Sequence, residues 1–332
     1  MTNSQDADTK ALHFLATEGY LPLALADHPG MIDVYKSLFD QSAQFFALSE
    51  DSPQKTAYQA VSGPAASEEG YSKIPNEKSI MTIKWAGHCP EMLHEKAKAA
   101  WDLSGNFMDN IVQAIAQTLD LESNVFETLV KPCTVLPQDK KRPSLLRMFR
   151  YDRPRGPDPI VNAERHKDLG LLSLVVGHSP GLHVLSPSSG SWLPIEEDIC
   201  LPPDTKSRSG GLTATLLVGE TLAFLTRGQY KAGVHGVVCA PPGPENGNDP
   251  FRYSIVYTLR PAVASVFTKN FESEIVGQFS EEERAEGTSS IEMFGKIKRS
   301  HYNVNVGPEI REKQKLAQQQ GKGKEAAHSG QG

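Results

Sequence analysis

The chain has 332 residues, enough for one large β domain with flanking helices. Its 34 basic and 40 acidic residues give a formal net charge of −6, with no block of positive charge in the body of the chain, which argues against nucleic acid as a partner. No apolar run reaches the ~18 residues that a membrane span requires, and no amino-terminal signal pattern is present, so we expect no membrane partner and a soluble, cytoplasmic protein. The four cysteines are widely spaced without a CxxC pair, which predicts reduced thiols of minor structural importance: Cys89, Cys133, Cys200 and Cys239.

The amino-terminal third has the pattern of amphipathic helices. Apolar residues recur at steps of three and four in two segments, which predicts two helices that each bury one face in the core. The two apolar stripes are Met31, Val34, Tyr35, Leu38 and Phe39, and Leu103, Phe107, Ile111 and Ile115. We expect residues 1–8 to be disordered and residues 9–135 to form a helical region that packs on the rest of the domain.

Short strand-like segments follow between residues 136 and 262. They are bounded by turns rich in Gly, Ser and Pro, and they include a predicted hairpin with its turn at 186–190. The predicted strands are 171–176, 181–184, 191–195, 214–218, 221–225, 230–238 and 251–257. This pattern predicts a mainly β catalytic core over residues 136–262.

Three residues of this core have the character of metal ligands. His166 and Asp168 are two apart, so in an extended segment their side chains leave on the same side, and His235 follows 67 residues after Asp168. Two imidazoles and one carboxylate occupy one face of an octahedral iron(II) and leave three positions open for an organic chelate and dioxygen. In a chain with ten histidines a His-x-Asp pair also arises by chance, and the same ligands suit zinc.

Arg252 and Ser254 lie on one face of the last predicted strand. A guanidinium fork matches a carboxylate with two parallel, charge-assisted hydrogen bonds, and the serine adds a hydroxyl. The alternative for the arginine is a solvated surface charge. Tyr151 ends the segment 147–151, and its pattern alone is that of a tyrosine that packs at the end of a strand.

The order of these elements resembles the isopenicillin-N-synthase-like branch of the 2-oxoglutarate- and iron(II)-dependent dioxygenases, from about Thr9 to Ala262. The resemblance rests on His-x-Asp, the Gly-Leu-x-Val hairpin with its Trp, Gly219-Glu220, Tyr-Lys before the second histidine, and Arg-x-Ser. It implies a double-stranded β-helix, or jelly roll, with iron between its sheets. The residues implied to bind iron are His166, Asp168 and His235, and those implied to hold the distal carboxylate of 2-oxoglutarate are Arg252 and Ser254, assisted by Tyr151.

The chain departs from that pattern in several places. Gly236 stands where the family usually has an arginine, and two loops, 196–211 and 240–250, are longer than expected. Long loops at a barrel rim either shape a substrate entrance or form plain surface insertions. We expect residues 263–306 to form carboxy-terminal helices that cover the barrel, with a capping-box signature at 280–283 and an apolar row at 291–297, and residues 307–332 to form a flexible tail.

The resemblance therefore predicts an oxidoreductase that uses iron(II), 2-oxoglutarate and dioxygen to oxidise a C–H bond and releases succinate and carbon dioxide. The loops and the tyrosine-rich last strand most resemble fungal enzymes of polyketide pathways. We expect a small aromatic or dearomatised substrate, with methyl hydroxylation as the reaction and ring expansion to a tropolone as one variant. Two alternatives are an iron oxidase that does not use 2-oxoglutarate and a non-catalytic jelly-roll protein that binds a metal.

Overall fold

The computed structural model describes residues 2–28, 30–61, 68–197, 211–244, 248–262, 265–297 and 303–317. The helices are α1 (Thr2–Glu18), α2 (Met31–Ala47), α3 (Pro53–Thr56), α4 (Glu91–Thr118), α5 (Glu127–Val130), α6 (Glu220–Leu225) and α7 (Ser290–Ile297). The strands are β1 (Tyr20–Leu23), β2 (Gly70–Ile74), β3 (Lys78–Ile83), β4 (Leu145–Asp152), β5 (Ile160–His166), β6 (Leu172–Gly177), β7 (Leu182–Leu185), β8 (Trp192–Leu193), β9 (Thr213–Val218), β10 (His235–Cys239), β11 (Phe251–Leu259), β12 (Ser265–Phe267) and β13 (Glu286–Ser289). None of the helices among these residues is both long and apolar enough to cross a membrane.

Two antiparallel sheets face each other. The larger has the strand order β1-β9-β6-β11-β4-β3-β2, and the smaller has the order β5-β10-β7-β8. From β4 to β11 the chain crosses repeatedly between the two sheets, with β7 and β8 as a hairpin within the smaller sheet, as in a double-stranded β-helix. The predicted jelly roll with flanking helices is therefore confirmed. Residues from both sheets, including Val175 and Leu182 in one cluster and Phe149 and Val237 in another, fill the space between them.

Helices α2 and α4 cover the outer face of the larger sheet. On α4 the Trp101 ring meets the ring of Tyr257 on β11 edge to face, with centroids 5.3 Å apart. Both polar groups donate to the carbonyl of Cys133, the indole Nε1 at 3.0 Å and the tyrosine hydroxyl at 2.7 Å. Because β11 is covered on this face, its other face, which carries Arg252 and Ser254, points between the sheets.

Gly105 is the point of closest approach between α4 and the segment that follows α5. A Cβ at this position would collide with the backbone carbonyl of Thr134. In an open helix, Gly→Ala stabilises by about 1 kcal/mol, but here we expect Gly105→Ala to destabilise the protein by about 1–3 kcal/mol through overpacking. Gly295→Ala on α7, where nothing lies within 4 Å, is the matched control and is expected to be neutral or stabilising in urea unfolding. A stabilised Gly105→Ala variant would contradict this packing.

The region 9–135 is not wholly helical, in contrast to the sequence prediction. Strand β1 pairs with β9, while β2 and β3 extend the larger sheet beyond β4. All six residues of β3 are buried, so this strand lacks the alternation of apolar and polar residues that marks a half-exposed strand.

The predicted strand over 221–225 is wrong, because this segment is helix α6. Its first backbone N–H, that of Glu220, donates to the carbonyl of Asp168 at 2.7 Å. A short apolar run has the same composition in a buried strand and in a buried helical turn, so periodicity does not distinguish them. The helix that replaces the strand holds the backbone of Asp168 in place.

The structure also differs from the prediction at both ends of the described chain. Helix α1 begins at Thr2, within the segment predicted to be disordered, and residues 308–317 are helical, within the predicted flexible tail. The capping-box bonds expected at 280–283 are made in a turn; the bonds that begin α7 join Ser289 and Glu292. Met293 of α7 is buried, while the side chain of Ile291 lies outside the described residues.

Arg311 explains why the segment after residue 303 is ordered. Its guanidinium donates to both carboxylate oxygens of Glu77, at 2.7 and 2.6 Å, and Lys78 Nζ donates to the carbonyl of Val304 at 2.9 Å. These contacts join residues more than 220 positions apart, so no local sequence pattern predicts them.

We expect Arg311→Met to destabilise the protein by about 1–3 kcal/mol, because Glu77 would lose two charged hydrogen bonds but keep its ion pair with Lys78 at 3.0 Å. Chemical unfolding monitored by circular dichroism measures the change. Lys313→Met, which removes an exposed charge from the same helical segment, is the control and is expected to change stability by less than about 0.5 kcal/mol. Equal stability of the two variants would mean that the carboxy-terminal segment contributes little to the fold.

Candidate active site

His166, Asp168 and His235 converge at one end of the smaller sheet. His166 ends β5 and His235 begins β10, and the two residues are direct register partners. Asp168 follows in the turn after β5, with its carboxylate oxygens 3.9 Å from His166 Nε2 and 3.8 Å from His235 Nε2. One ligand atom from each of the three residues lies within 4.8 Å of the other two, a spacing that suits a single metal ion.

Backbone carbonyls orient both imidazoles. His166 Nδ1 lies 2.7 Å from the carbonyl of Glu164, and His235 Nδ1 lies 3.1 Å from that of Gly233. When Nδ1–H donates to a carbonyl, the neutral imidazole presents its Nε2 lone pair as a ligand, here towards Asp168. Two Nε2 atoms and one carboxylate match the facial donor set of non-haem iron(II), which leaves coordination positions open for further ligands.

The triad carboxylate is ionised at neutral pH. Although burial by itself favours the protonated form of Asp168, its interactions with the imidazoles of His235 and His166 lower its pKa to about 2. Ser173, a buried residue of β6, donates a hydrogen bond that lowers it further. The aspartate is therefore an anionic ligand over the whole physiological pH range.

Arg252, Ser254 and Tyr151 form a second cluster between the sheets. Arg252 is opposite Tyr151 in the β11–β4 register, and Ser254 follows two residues later on the same face of β11. All three are buried, and the guanidinium carbon lies 5.4 Å from the centre of the Tyr151 ring. Burial raises the pKa of Tyr151, with Arg252 and Ser254 opposing the shift, so the phenol stays protonated and able to donate.

Glu196, which the sequence analysis assigned to a loop, is the partner of Arg252. Its Oε2 lies 2.8 Å from Arg252 Nη2 and also accepts from the backbone N–H of Leu182 at 2.7 Å. Its Oε1 accepts from the hydroxyl of Thr213 at 3.0 Å. The carboxylate is 1% exposed and its oxygens are fully engaged by these donors.

Two glycines leave the space that the Glu196–Arg252 pair occupies. A Cβ at Gly177 would collide with Glu196 Oε1, and a Cβ at Gly181 would collide with Nε of Arg252. These glycines were the only local signal of the pair, because the two charged residues are 56 positions apart. The remainder of the predicted long loop, residues 198–210, lies outside the described residues.

The guanidinium of Arg252 has one nitrogen left for a ligand. Its Nε donates to the carbonyl of Ser179 at 2.9 Å and its Nη2 to Glu196, whereas Nη1 is buried without a hydrogen-bond partner in the described part of the chain. Burial lowers the pKa of Arg252, but the Glu196 carboxylate outweighs this effect and raises it. The structure thus differs from the expected two-pronged fork: in the described part of the chain Nη1 is the guanidinium nitrogen without a partner, and Tyr151 and Ser254 lie on the same inner face as Arg252.

Gly236 follows the second histidine, at the position where the family usually has an arginine, and it lies where β5 and β10 approach closely. A Cβ here would be 3.0 Å from the carbonyl of Ala163. Gly236 and Trp192 both line a cavity of about 530 Å³. The guanidinium carbon of Arg165 lies over the Trp192 ring, 4.4 Å from its centre. The register partner of Gly236 is His183, so this cavity is on the outer face of the smaller sheet and away from the triad.

Comparisons with known proteins identify the class of this fold. No family model matches the chain. The chain is 30% identical to oxidoreductase vrtI of Penicillium aethiopicum over 163 residues, which are 49% of this chain but only 36% of that protein. It is 24% identical to the 2-oxoglutarate-dependent dioxygenase frbH of a Dothideomycetidae species, over 77% of this chain and 78% of that one.

Solved structures agree with these relatives. A full-length Neurospora crassa protein in complex with alpha-KG has a TM-score of 0.64 and 22% identity, covering 89% of this chain and 91% of that chain. A putative 2OG-Fe(II) oxygenase family protein from Caulobacter crescentus has a TM-score of 0.66 and 21% identity, covering 89% and 95%. The predicted enzyme class, an oxidoreductase of the 2-oxoglutarate-dependent non-haem iron dioxygenase type, is confirmed, and iron, 2-oxoglutarate and dioxygen are the cofactors of that class.

Proposed function

We propose that the chain oxidises a C–H bond of a small-molecule substrate with iron(II) held by His166, Asp168 and His235. The observation that carries this proposal is the convergence of three donors, two Nε2 atoms and one ionised carboxylate, within 4.8 Å of one another. Iron bound there would activate dioxygen together with 2-oxoglutarate, which ends as succinate and carbon dioxide. The protein residues hold the ligands, orient the substrate and exclude water.

We infer that the second cluster holds the distal carboxylate of 2-oxoglutarate. A buried cation with one unpaired N–H requires an anion or a hydrogen-bond acceptor, and Arg252 Nη1 is such a donor. The hydroxyls of Tyr151 and Ser254 lie on the same inner face and complete a set of three donors. Glu196 keeps the guanidinium in one orientation, so the donor is in place before the co-substrate arrives.

The proposed substrate is a small, polyketide-derived aromatic or dearomatised ring, and the proposed reaction is methyl hydroxylation, with tropolone ring expansion as its variant. Fungal relatives support this choice, among them vrtI and the 2-oxoglutarate-dependent dioxygenase gloE of Glarea lozoyensis, which is 23% identical. The Neurospora crassa protein has been crystallised with thymine, so a neighbour with this fold accepts a small planar ring. Membership of the isopenicillin-N-synthase-like branch is part of the same proposal.

Incubation with iron(II), 2-oxoglutarate and a panel of methylated phenolic aldehydes tests this function. Mass spectrometry and a succinate assay should find one succinate for each oxidised product. Oxidation without consumption of 2-oxoglutarate would instead favour an iron oxidase. Tight zinc binding, with no turnover of any panel member and no succinate, would favour a metal-binding protein without catalytic activity.

A further inference from the structure

We propose that the substrate carries a carboxylate, and that Arg147 binds it beside the metal triad. This inference rests on the proposed function and specifies the substrate of the same site. It is drawn from a group of charged residues at the triad end of the larger sheet: Glu68, Lys84, Arg147 and Arg260.

Arg147 lies on the inner face of the larger sheet. On β4 it shares that face with Phe149 and Tyr151, because the three residues are two apart. Its register partner on β11 is Val256, which packs against both apolar clusters between the sheets. Since Tyr151 lies at the proposed 2-oxoglutarate end of this row, Arg147 lies at the opposite end.

Arg147 is also close to the triad. Thr258 lies on β11 two positions beyond Val256, the register partner of Arg147, and a Cβ at Gly170 would lie only 2.7 Å from its methyl group. Because Gly170 follows Asp168 by two residues, the triad segment passes beside the β11 neighbours of Arg147. The arginine side chain is 13% exposed, so it lies largely within the protein rather than in bulk solvent. Its Nε donates to the hydroxyl of Thr82 on β3 at 3.1 Å, which fixes the direction of the guanidinium.

The positive charge around Arg147 is only partly compensated. Glu68 accepts two hydrogen bonds from Arg260, at 2.6 and 3.3 Å, and lies 3.4 Å from Arg147 Nη2 and 4.0 Å from Lys84 Nζ. In the described part of the chain Glu68 is the ion-pair partner of Arg147, Arg260 and Lys84, and the adjacent Glu69 is paired with Lys141 at 4.0 Å, so cations outnumber carboxylates in this group. Like charges that are partly buried repel each other strongly, so an anion bound here would be stabilised.

The wall between Arg147 and the triad is polar. The hydroxyls of Ser173 and Thr258, on neighbouring strands of the larger sheet, lie 3.1 Å apart, and Thr82 stands opposite Arg147. The aromatic residues Tyr257 and Phe224 do not line this region, since Tyr257 packs on Trp101 and Phe224 on Phe279. A ring that carries a carboxylate suits such a wall better than a wholly apolar one.

The test is an anaerobic titration of the enzyme loaded with iron(II) and excess 2-oxoglutarate. The probes are 2-hydroxybenzoate and 2,4-dihydroxy-6-methylbenzoate, each compared with its neutral amide. Binding beside the metal shifts the visible absorption of the loaded site, whereas displacement of 2-oxoglutarate removes it. We expect the wild type to bind at least one carboxylate more tightly than its amide, by roughly 30-fold, as for a charged contact in a buried site.

Variants test whether Arg147 is the residue that makes the carboxylate bind more tightly than its amide. Arg147→Met should lose it, Arg147→Lys should retain part of it, and Lys141→Met, which removes a nearby cation that is 65% exposed, should keep it. The absorption of the loaded site in each variant verifies that the fold and co-substrate binding survive. Should Arg147→Met fail to fold, the comparison of carboxylate with amide on the wild type still decides the proposal.

Equal binding of carboxylates and amides, no binding of either, or an unchanged preference in Arg147→Met would overturn the inference; the charged group would then serve only to hold residue 68 against β4. If the wild type loaded with iron and 2-oxoglutarate shows no visible absorption at all, the proposed function itself fails. The two failures are therefore distinguishable.

Discussion

His166→Ala and Asp168→Ala are each expected to abolish succinate formation while the protein remains folded. Each change removes one of three metal ligands, and a metal contribution of several kcal/mol corresponds to a loss of roughly 10³-fold in rate. Neither side chain belongs to the apolar clusters between the sheets, and both are partly exposed, so thermal unfolding should shift by only a few degrees. Succinate release and the melting temperature are measured on the same preparation.

His183→Ala is the matched control for these variants. His183 is an imidazole on β7, in the same sheet as His235, but it faces the outer cavity. Its removal should leave turnover close to that of the wild type. Loss of folding in His166→Ala or Asp168→Ala would show that the pair is structural, and full turnover in either would exclude it as a ligand.

Arg252→Met is expected to raise the KM for 2-oxoglutarate by roughly 30-fold or more, because truncating a buried, charged contact costs about 2–5 kcal/mol. Since Glu196 would also lose its ion-pair partner, the variant should be less stable by about 3–5 kcal/mol. Steady-state kinetics with 2-oxoglutarate as the varied substrate measures the first effect, and chemical unfolding measures the second. An unchanged KM would remove Arg252 from the co-substrate site.

Glu196→Gln separates the contribution of the Glu196–Arg252 ion pair to stability from the proposed binding of 2-oxoglutarate by Arg252. It leaves the guanidinium of Arg252 buried without a counter-charge, so the variant should be less stable than the wild type in the absence of ligand. 2-Oxoglutarate supplies a replacement carboxylate, so it should raise the melting temperature of Glu196→Gln more than that of the wild type. Equal shifts in the two proteins would mean that the ligand carboxylate does not approach Arg252.

The triad could be predicted from the sequence because two of its three residues lie close together in the chain. His166 and Asp168 have the two-residue spacing of an extended segment, and the resemblance to a known order of strands supplied His235. Arg252 and Ser254 were accessible for the same reason, since they share one face of an alternating strand. Alternation of residues between the two faces of a strand is a short-range property, so it can be recognised in a single sequence.

The residues that were missed act through long-range contacts. Glu196 meets Arg252 across 56 positions, and Glu68 meets Arg260 across 192, so neither pair leaves a local pattern. Arg147 received no role in the sequence analysis, because an arginine in a strand is equally compatible with a surface charge. Strand β3 was missed because both of its faces are buried, and α6 was missed because a five-residue segment with four apolar residues does not define a period.

Anaerobic titration of iron(II) into the protein, with and without 2-oxoglutarate, tests most directly whether the three ligands and the Arg252 cluster form one site. The structure predicts one iron per chain and a visible charge-transfer absorption that requires both the metal and the co-substrate, disappears in His235→Ala and needs far more 2-oxoglutarate in Arg252→Met. An absorption that is unchanged in His235→Ala, or iron that binds without any response to 2-oxoglutarate, would contradict it.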